Sequence, residues 1–205
     1  MDNKEIRSFS FEVRAEKDER GSLITGRPIV FGSRTDLGWY DEIIERGALN
    51  DTDLKDVRLL VNHNVDMIPL ARSRNNTDNS TMQLIPDENG LSIKAVLDTE
   101  NNADARSLYS AVERGDIDGM SFMFTVEKDS WDDPDSDHPT RHLLSIRRVF
   151  EVSAVTFPAY SKTSIQARGL SDALESAKDS LESEKARLKA IERRKQKIRI
   201  LTEVL

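Results

Sequence analysis

Three side chains have the chemical types that hydrolysis by an activated serine needs. The 205 residues include no cysteine, so a nucleophile would be a serine, threonine or lysine, activated by a base that is most often a histidine. Of the three histidines, His138 and His142 border an acidic loop over residues 129–139. His63 instead extends the alternating apolar run over residues 57–61, and alternation would point it to the apolar face of that strand. His63 is thus either a hydrogen-bonded core residue or the base.

The second candidate is Glu151, a carboxylate in a segment that is apolar on both faces. Over residues 148–155 it shares one face with Val149 and Val155, and its neighbours on the other face are apolar as well. Strands of this kind are buried, and a buried carboxylate must be paired or protonated. One possible partner is His63, whose imidazole the carboxylate would orient and stabilise. The other is an arginine, and the candidates are Arg72, Arg147 and Arg148.

The third candidate is Ser121, which follows a flexible Gly-Asp-Ile-Asp-Gly turn and lies in a bulky apolar strand over residues 119–124. Phe122 and Phe124 point to one face of this strand, and Ser121 points to the other. Taken alone, Ser121 is either an ordinary strand residue or a nucleophile.

These three residues would be carried by strands of a mostly β protein. Alternating apolar positions and turn residues predict strands over 9–13, 23–31, 57–61, 82–85, 91–97, 119–127 and 143–156. A hairpin turn is expected at residues 86–90, because the Asn-Gly pair accepts positive φ. A helix is predicted over residues 103–114 with Gly115 as its C-cap. A second, longer helix is predicted over residues 170–205, which contain no proline.

Charge and composition divide the chain near Arg168. Residues 169–205 hold 9 basic and 7 acidic side chains and no aromatic residue, whereas residues 1–168 hold 21 basic and 30 acidic ones. We therefore predict a β domain over residues 1–168 and a helical tail over residues 169–205. The net charge of −7 argues against duplex nucleic acid as the main partner. With no apolar run of membrane-spanning length and no signal-peptide core, a soluble cytoplasmic protein is expected.

Several segments of the chain together resemble one known family. They are Leu60–Asn64, Gly115–Phe124 and Phe150–Tyr160, in that order, and residues 26–31, 42–49 and 87–91 fit as well. The set is similar to the prohead maturation proteases of tailed bacteriophages, over roughly residues 6–165. Asn64 stands where an aspartate is common in that family, and Met123 stands where a glycine is common. Neither position would do the chemistry.

The resemblance implies a serine endopeptidase that acts inside the phage prohead, in the cytoplasm of the bacterial host. Carried over position by position, Ser121 is the nucleophile, His63 is the general base and Glu151 is the third member of the triad. Glu151 takes the place of the second histidine of herpesvirus assemblin, a protease related in fold. Conceivable substitutes for Glu151 are Asp66, Asp118 and Ser153. The oxyanion donors are expected in the stretch after Pro158. No cofactor and no metal are implied.

The resemblance also implies a fold and partners. The fold would be mainly β with a few helices, a closed or nearly closed antiparallel β-barrel like that of assemblin, followed by the helical tail. The partners would be the major capsid protein with its scaffolding segment, and a second copy of the chain for self-cleavage or homo-oligomerisation. No membrane and no specific nucleic acid are expected. The basic, helix-forming tail over residues 169–205 is either a solvated helix or weak coiled coil, or an arm that docks on scaffold or capsid protein, or on nucleic acid; its composition suits docking on scaffold or capsid protein and removal by self-cleavage.

Two rival functions come from other classes. One is a non-enzymatic assembly module, in which the β domain and its helical tail scaffold capsid subunits. The presence of Ser121, His63 and a carboxylate in their motifs argues against it, because a decayed enzyme would often have lost one of them. The other is a metal-dependent hydrolase that uses the aspartates of residues 129–138 with His138, although this loop better suits solvent or weak calcium binding.

Overall fold

The computed structural model describes residues 4–9, 13–157 and 167–203, which form eleven strands and two helices. The strands are β1 Glu5–Phe9, β2 Arg14–Asp18, β3 Gly21–Val30, β4 Arg34–Asp36, β5 Asp41–Ile44, β6 Asp56–Val61, β7 Ala71–Arg74, β8 Met82–Asp87, β9 Gly90–Leu97, β10 Gly119–Asp132 and β11 Thr140–Val155. The helices are α1 Ala103–Glu113 and α2 Ala167–Glu203. The mainly β class, the helix near residue 103 and the helical C-terminal segment are confirmed. Part of the strand expected over residues 9–13 lies outside the described residues.

The strands form two sheets. The larger sheet has seven strands in the order β1-β10-β11-β5-β4, with β6 paired to both β11 and β7. The smaller sheet has the order β2-β3-β9-β8. Neighbouring strands are antiparallel, except that β11 pairs in parallel with β5 at its start and with β6 at its end.

The closed antiparallel barrel expected from the resemblance is not confirmed. In the described part of the chain the two sheets do not close on each other, and two of the strand pairs are parallel. The physical reason lies in β11, which β10 pairs on one edge while β5 and β6 share the other edge. The larger sheet therefore branches along β11.

One apolar core joins both sheets and α1. Phe122 and Phe124 of β10 are fully buried in it, together with Ile24 of β3 and Ile93 of β9. α1 covers this core with the four residues that share its apolar face, Ala105, Leu108, Tyr109 and Val112. The Asn102 side chain caps the helix by accepting hydrogen bonds from two backbone N–H groups. Among the described residues, no helix is long and apolar enough to cross a membrane.

The hairpin of β8 and β9 is confirmed at the expected Asn-Gly turn. Gly90 has a φ of +143°, and a Cβ atom there would lie 1.9 Å from the backbone oxygen of Ile29. Only glycine fits that position, because the backbone of the neighbouring strand β3 lies where a Cβ atom would be. The acidic loop is shorter than expected, since β10 continues to Asp132 and β11 begins at Thr140. The long β10–β11 hairpin carries two of the three candidate site residues.

The first half of α2 packs against the larger sheet. Ala177 and Leu181 are buried in a small cluster with Tyr40 and Trp131, and Leu174 lies at its edge. Further along the helix, the described side chains are mostly exposed. The division into residues 1–168 and 169–205 stays a prediction.

Candidate active site

The structure brings the three predicted residues together. Nε2 of His63 lies 2.6 Å from Oγ of Ser121, and Nδ1 of the same ring lies 2.6 Å from Oε1 of Glu151. Each residue comes from a different strand or strand end, β6, β10 and β11. The imidazole therefore bridges a hydroxyl and a carboxylate, the arrangement that transfers a serine proton to a neutral histidine.

His63 reaches this position through a left-handed turn. β6 ends at Val61, and both Asn62 and His63 have positive φ values, +51° and +56°. The expectation that His63 continues the alternation of the strand is therefore wrong, although the residue itself lies in the site. Asn62 is held by two hydrogen bonds to Thr156, one from its side-chain amide at 3.0 Å and one to its side-chain oxygen at 2.9 Å. Asparagine is among the residues that best tolerate this conformation.

Glu151 is buried, as its sequence context predicted, and its two oxygens have different partners. Oε1 faces His63, and Oε2 accepts a hydrogen bond of 2.5 Å from the hydroxyl of Ser153. The same hydroxyl accepts a hydrogen bond of 3.1 Å from the backbone N–H of His63. The arginines proposed as alternative partners pair elsewhere: Arg72 with Asp56, Arg147 with Glu127 and Arg148 with Asp53.

Ser121 is completely buried, between a serine on each neighbouring strand. In the register of the larger sheet it lies opposite Ser8 of β1 and opposite Ser153 of β11. The Ser8 hydroxyl donates a 2.8 Å hydrogen bond to Oγ of Ser121. Oγ in turn donates to the backbone oxygen of Arg7 at 2.7 Å. Since a hydroxyl carries one proton, the Arg7 carbonyl and the His63 ring compete for it.

Sequence comparison decides the family. Residues 9–178 match the family model of the caudovirus prohead serine protease. The chain belongs to this family. It is 26% identical over 181 residues to the prohead protease of Enterobacteria phage HK97, a match that covers 85% of this chain and 73% of that one. The structure is similar to that of the bacteriophage T4 capsid assembly protease, with a TM-score of 0.38 and 13% identity, over 74% of this chain and 98% of that one. The resemblance drawn from the sequence motifs is confirmed.

Beside the site, this prohead protease family member buries a cluster of charges that the sequence did not predict. Arg7 of β1 pairs with Glu5 at 2.6 Å and with Glu42 of β5, and Arg141 of β11 pairs with Glu5 at 3.0 Å and with Asp129 of β10 at 2.7 Å. Burial alone would raise the pKa of Glu5, but the attraction of Arg7 and Arg141 outweighs it and holds that pKa below its usual range. The only signal in the sequence is that Glu5 and Arg7 would share one face of a strand.

The other polar candidates lie apart from the bridging imidazole. Asp66 and Asp118 are exposed. The backbone N–H of Asp66 donates a hydrogen bond to the side chain of Asn64. His138 lies 3.1 Å from Asp41, and these two residues with Asp36 are the one group in the described chain whose spacing could hold a metal ion. His142 lies 2.7 Å from Glu45. The stretch after Pro158, where the oxyanion donors are expected, lies outside the described residues.

An open cavity of about 310 Å³ adjoins the carboxylate end of the site. Its walls are largely apolar and come from β6, β10 and β11 and from the loop after His63. Among the residues that line it are Lys4, Leu60, Met67, Met123 and Glu151. Lys4, which directly precedes β1, also lines this cavity.

Proposed function

We propose that this chain is a serine endopeptidase in which Ser121 is the nucleophile, His63 the general base and Glu151 the carboxylate that supports the base. The observation that carries the proposal is the position of the His63 ring, 2.6 Å from Ser121 Oγ on one side and 2.6 Å from Glu151 Oε1 on the other. A carboxylate on Nδ1 favours the tautomer whose Nε2 is free to accept a proton. The group that faces Nε2 is the Ser121 hydroxyl, which must give up its proton to act as a nucleophile.

The reaction follows from these roles. Oγ of Ser121 bonds to the carbonyl carbon of the substrate while its proton passes to Nε2 of His63, and Glu151 stabilises the resulting imidazolium. The imidazolium then gives this proton to the leaving amine as the peptide bond breaks, which leaves an acyl ester on Ser121. Water attacks the ester, with His63 again as the base, and releases the new carboxyl end.

The substrate that we propose is the scaffolding segment of the major capsid protein, followed by the chain itself, inside the prohead. Two findings support this choice: the match of residues 9–178 to the prohead protease family, and the similarity to the prohead protease of phage HK97. A protease that acts inside a closed shell meets capsid protein, scaffold and its own copies. Self-cleavage would therefore accompany substrate cleavage.

The test is co-expression with the major capsid protein of the same phage, read by intact-mass spectrometry. Wild type should shorten the capsid protein, and Ser121→Ala should not, because loss of the nucleophile of a triad costs about 10⁶ in turnover. Ser73→Ala is the matched control: Ser73 is also fully buried in a strand, and its hydroxyl has no hydrogen-bond partner among the described residues. Ser121→Ala should fold, with a change in stability of roughly 1–2 kcal/mol at most.

Two results would contradict the proposal. Processing by Ser121→Ala at the rate of wild type would show that another group is the nucleophile. Shells that form normally with wild type while the capsid protein keeps its full mass would instead favour a non-enzymatic assembly module.

A further inference from the structure

The candidate base stands on a backbone turn of a kind that most residues avoid. Asn62 and His63 are consecutive, and both have positive φ values, +51° and +56°. A left-handed conformation at a residue other than glycine costs free energy, and it persists only where the surrounding structure holds it. The hydrogen bonds of Asn62 show what holds this turn.

Asn62 is bonded to the end of β11 at three points. Its backbone N–H donates to the carbonyl oxygen of Ala154 at 3.0 Å, next to the parallel pair of Val61 and Ala154. Its side-chain amide donates to Oγ1 of Thr156 at 3.0 Å, and its side-chain oxygen accepts from the backbone N–H of Thr156 at 2.9 Å. The two side-chain bonds close a ring between Asn62 and Thr156, so each residue fixes the orientation of the other.

This ring joins the two parts of the candidate site that must meet. His63 follows Asn62 directly, whereas Glu151 belongs to β11, the strand that ends just before Thr156. The His63 ring has 2.6 Å contacts on both sides, to Ser121 and to Glu151. Both contacts are close to the shortest that hydrogen bonds allow, so a shift of the turn relative to β11 would lengthen at least one of them.

We propose that Asn62 and Thr156 are positioning residues for the candidate base. Their paired hydrogen bonds hold the left-handed turn on the end of β11 and thereby keep the imidazole of His63 in line with its two partners. The inference rests on the proposed function, since the position of the ring matters for the reaction only if His63 is the base. Both residues would act through His63 and would not themselves exchange a proton with the substrate.

The exposure of the pair separates this role from a stabilising one. Asn62 and Thr156 are both exposed, and a single hydrogen bond contributes only modestly to the free energy of unfolding. A displacement of about 1 Å in an active site, by contrast, can cost about 10² in rate. Loss of the pair should therefore change the rate of reaction far more than the melting temperature.

Asn62→Gly tests the proposal, because glycine accepts the left-handed conformation and lacks the side-chain hydrogen bonds. The readout is labelling by a fluorophosphonate probe, in which phosphorus bonds to Oγ of Ser121 as fluoride leaves and the serine proton passes to His63. The maximal labelling rate should be about 10–100-fold lower than that of wild type. The probe concentration that gives half of the maximal rate should not change, because Asn62 acts on the base and not on binding of the probe.

Asn76→Gly is the matched control. Asn76 is also exposed and left-handed, with a φ of +51°, and it lies in the turn after β7, apart from the candidate site. Its amide donates to the carbonyl oxygen of Leu84 at 2.9 Å, and its side-chain oxygen accepts from the N–H of Leu84 at 2.7 Å. The two glycine variants should have similar melting temperatures, but Asn76→Gly should be labelled at the wild-type rate.

Two substitutions of Thr156 test the other half of the pair. Thr156→Val keeps the shape but has no hydroxyl to accept from the Asn62 amide. It should lower the maximal labelling rate by less than Asn62→Gly does, because the backbone N–H of residue 156 remains. Thr156→Ser keeps the hydroxyl and should react nearly as fast as wild type. A merely structural role of this exposed residue gives no reason for the two variants to differ in rate.

Proton NMR gives a readout that does not depend on activity. A proton on Nδ1 of His63, 2.6 Å from Oε1 of Glu151, should give a low-field signal that His63→Ala removes. Asn62→Gly should weaken or lose this signal, because the ring is no longer held against the carboxylate. Asn76→Gly should keep it.

Equal labelling of folded Asn62→Gly and Asn76→Gly would overturn the proposal, because the turn would then hold His63 without the side-chain bonds. Equal rates for Thr156→Val and Thr156→Ser would exclude Thr156 as a positioning residue. If the probe does not label wild type at Ser121, it is the proposed serine chemistry that fails. The NMR signal then decides about the pair, and an equally strong signal in both glycine variants would contradict it.

Discussion

The Ser153 hydroxyl bonds both to the carboxylate of Glu151 and to the backbone of His63. It donates a hydrogen bond of 2.5 Å to Oε2 of Glu151 and accepts one of 3.1 Å from the backbone N–H of His63. Oε1 of the carboxylate is thereby left to face the imidazole, at 2.6 Å from Nδ1. Ser153, proposed from the sequence as a substitute for Glu151, instead lies beside it and bonds to it.

Ser153→Ala should therefore slow turnover without abolishing it. Loss of a hydrogen bond to a charged group costs about 1.5–3 kcal/mol, which corresponds to a roughly 10–100-fold lower kcat if the bond is needed in the transition state. KM should stay close to the wild-type value. Steady-state kinetics on a peptide substrate would measure both, with Ser73→Ala as the control. An unchanged kcat would show that Glu151 keeps its orientation without this hydroxyl.

Glu151→Gln should lower turnover about 10²–10⁴-fold, because the amide keeps the shape of the carboxylate but cannot stabilise the imidazolium by charge. Glu151→His should retain more activity than Glu151→Gln, since a second imidazole can accept the same hydrogen bond from His63. Rates should be measured together with melting temperatures, so that variants that unfold are recognised. A Glu151→Gln enzyme of wild-type rate would limit Glu151 to a structural role.

The rate of the folded enzyme should rise with pH, because His63 must be neutral to accept the proton of Ser121. The value of kcat/KM should therefore fall in acid, where an imidazole that serves as a base becomes protonated. His138→Ala and His142→Ala should leave the profile unchanged, since these rings pair with Asp41 and Glu45 instead. A flat profile from about pH 5 to 9 would exclude a histidine base.

Glu5 should make the free energy of unfolding depend on pH in the acidic range. Its pKa would be raised by burial, but Arg7 and Arg141 lower it below that of the unfolded chain. A carboxyl group of this kind stabilises the fold above its unfolded pKa, and that contribution is lost as the pH falls through its lower folded pKa. The free energy of unfolding should therefore decrease below about pH 4.5, the ordinary value for such a group.

Glu5→Gln isolates this effect. The variant should be less stable than wild type by about 3 kcal/mol at neutral pH, because it leaves buried guanidinium groups short of a partner. The difference should shrink in acid. Urea unfolding followed by tryptophan fluorescence can measure it, since Trp131 packs against Tyr40 beside the cluster. The control is Glu88→Gln, which changes an exposed carboxylate in the β8–β9 turn. If the stability difference between wild type and Glu5→Gln did not vary with pH, the lowered pKa of Glu5 would be contradicted.

Removal of residues 169–205 should destabilise the β domain without preventing it from folding. The truncation uncovers Tyr40 and Trp131 and removes the hydrogen bonds from Ser176 and Ser180. A loss of about 3 kcal/mol would lower the melting temperature by roughly 5–10 °C.

The matched control for this truncation ends after Ser183. It removes the largely exposed half of α2 and keeps the residues that pack on the sheet, so its melting temperature should stay near that of the full chain. Equal melting temperatures for both truncations would mean that α2 contributes nothing to the stability of the domain.

The sequence alone was enough to choose the three candidate residues. His63, Ser121 and Glu151 each stand in a local segment that can be recognised without a structure, and local patterns also predicted α1, the β8–β9 hairpin and the helical C-terminal segment. These features depend on neighbours within a few residues, through turn chemistry, capping and alternation.

Only the tertiary structure decided how these residues meet. The partner of Glu151 depends on the parallel pairing of β6 with β11 and on the left-handed turn at Asn62, neither of which alternation in β6 can predict. The branching of the larger sheet along β11, in place of a closed barrel, likewise depends on which distant strands pair. Strand register of this kind is set by packing over the whole core.

The buried charge cluster and the contact of β1 with Ser121 could not be predicted from local patterns, for the same reason. Glu5 and Arg141 are 136 positions apart in the chain, and Arg7 and Ser121 are 114 apart. In the sequence, Glu5 and Arg7 have the composition of a solvated edge, and nothing near them predicts burial. They are buried because β1 pairs with β10 and α2 closes over both, so that charges from four separate elements neutralise one another out of reach of water.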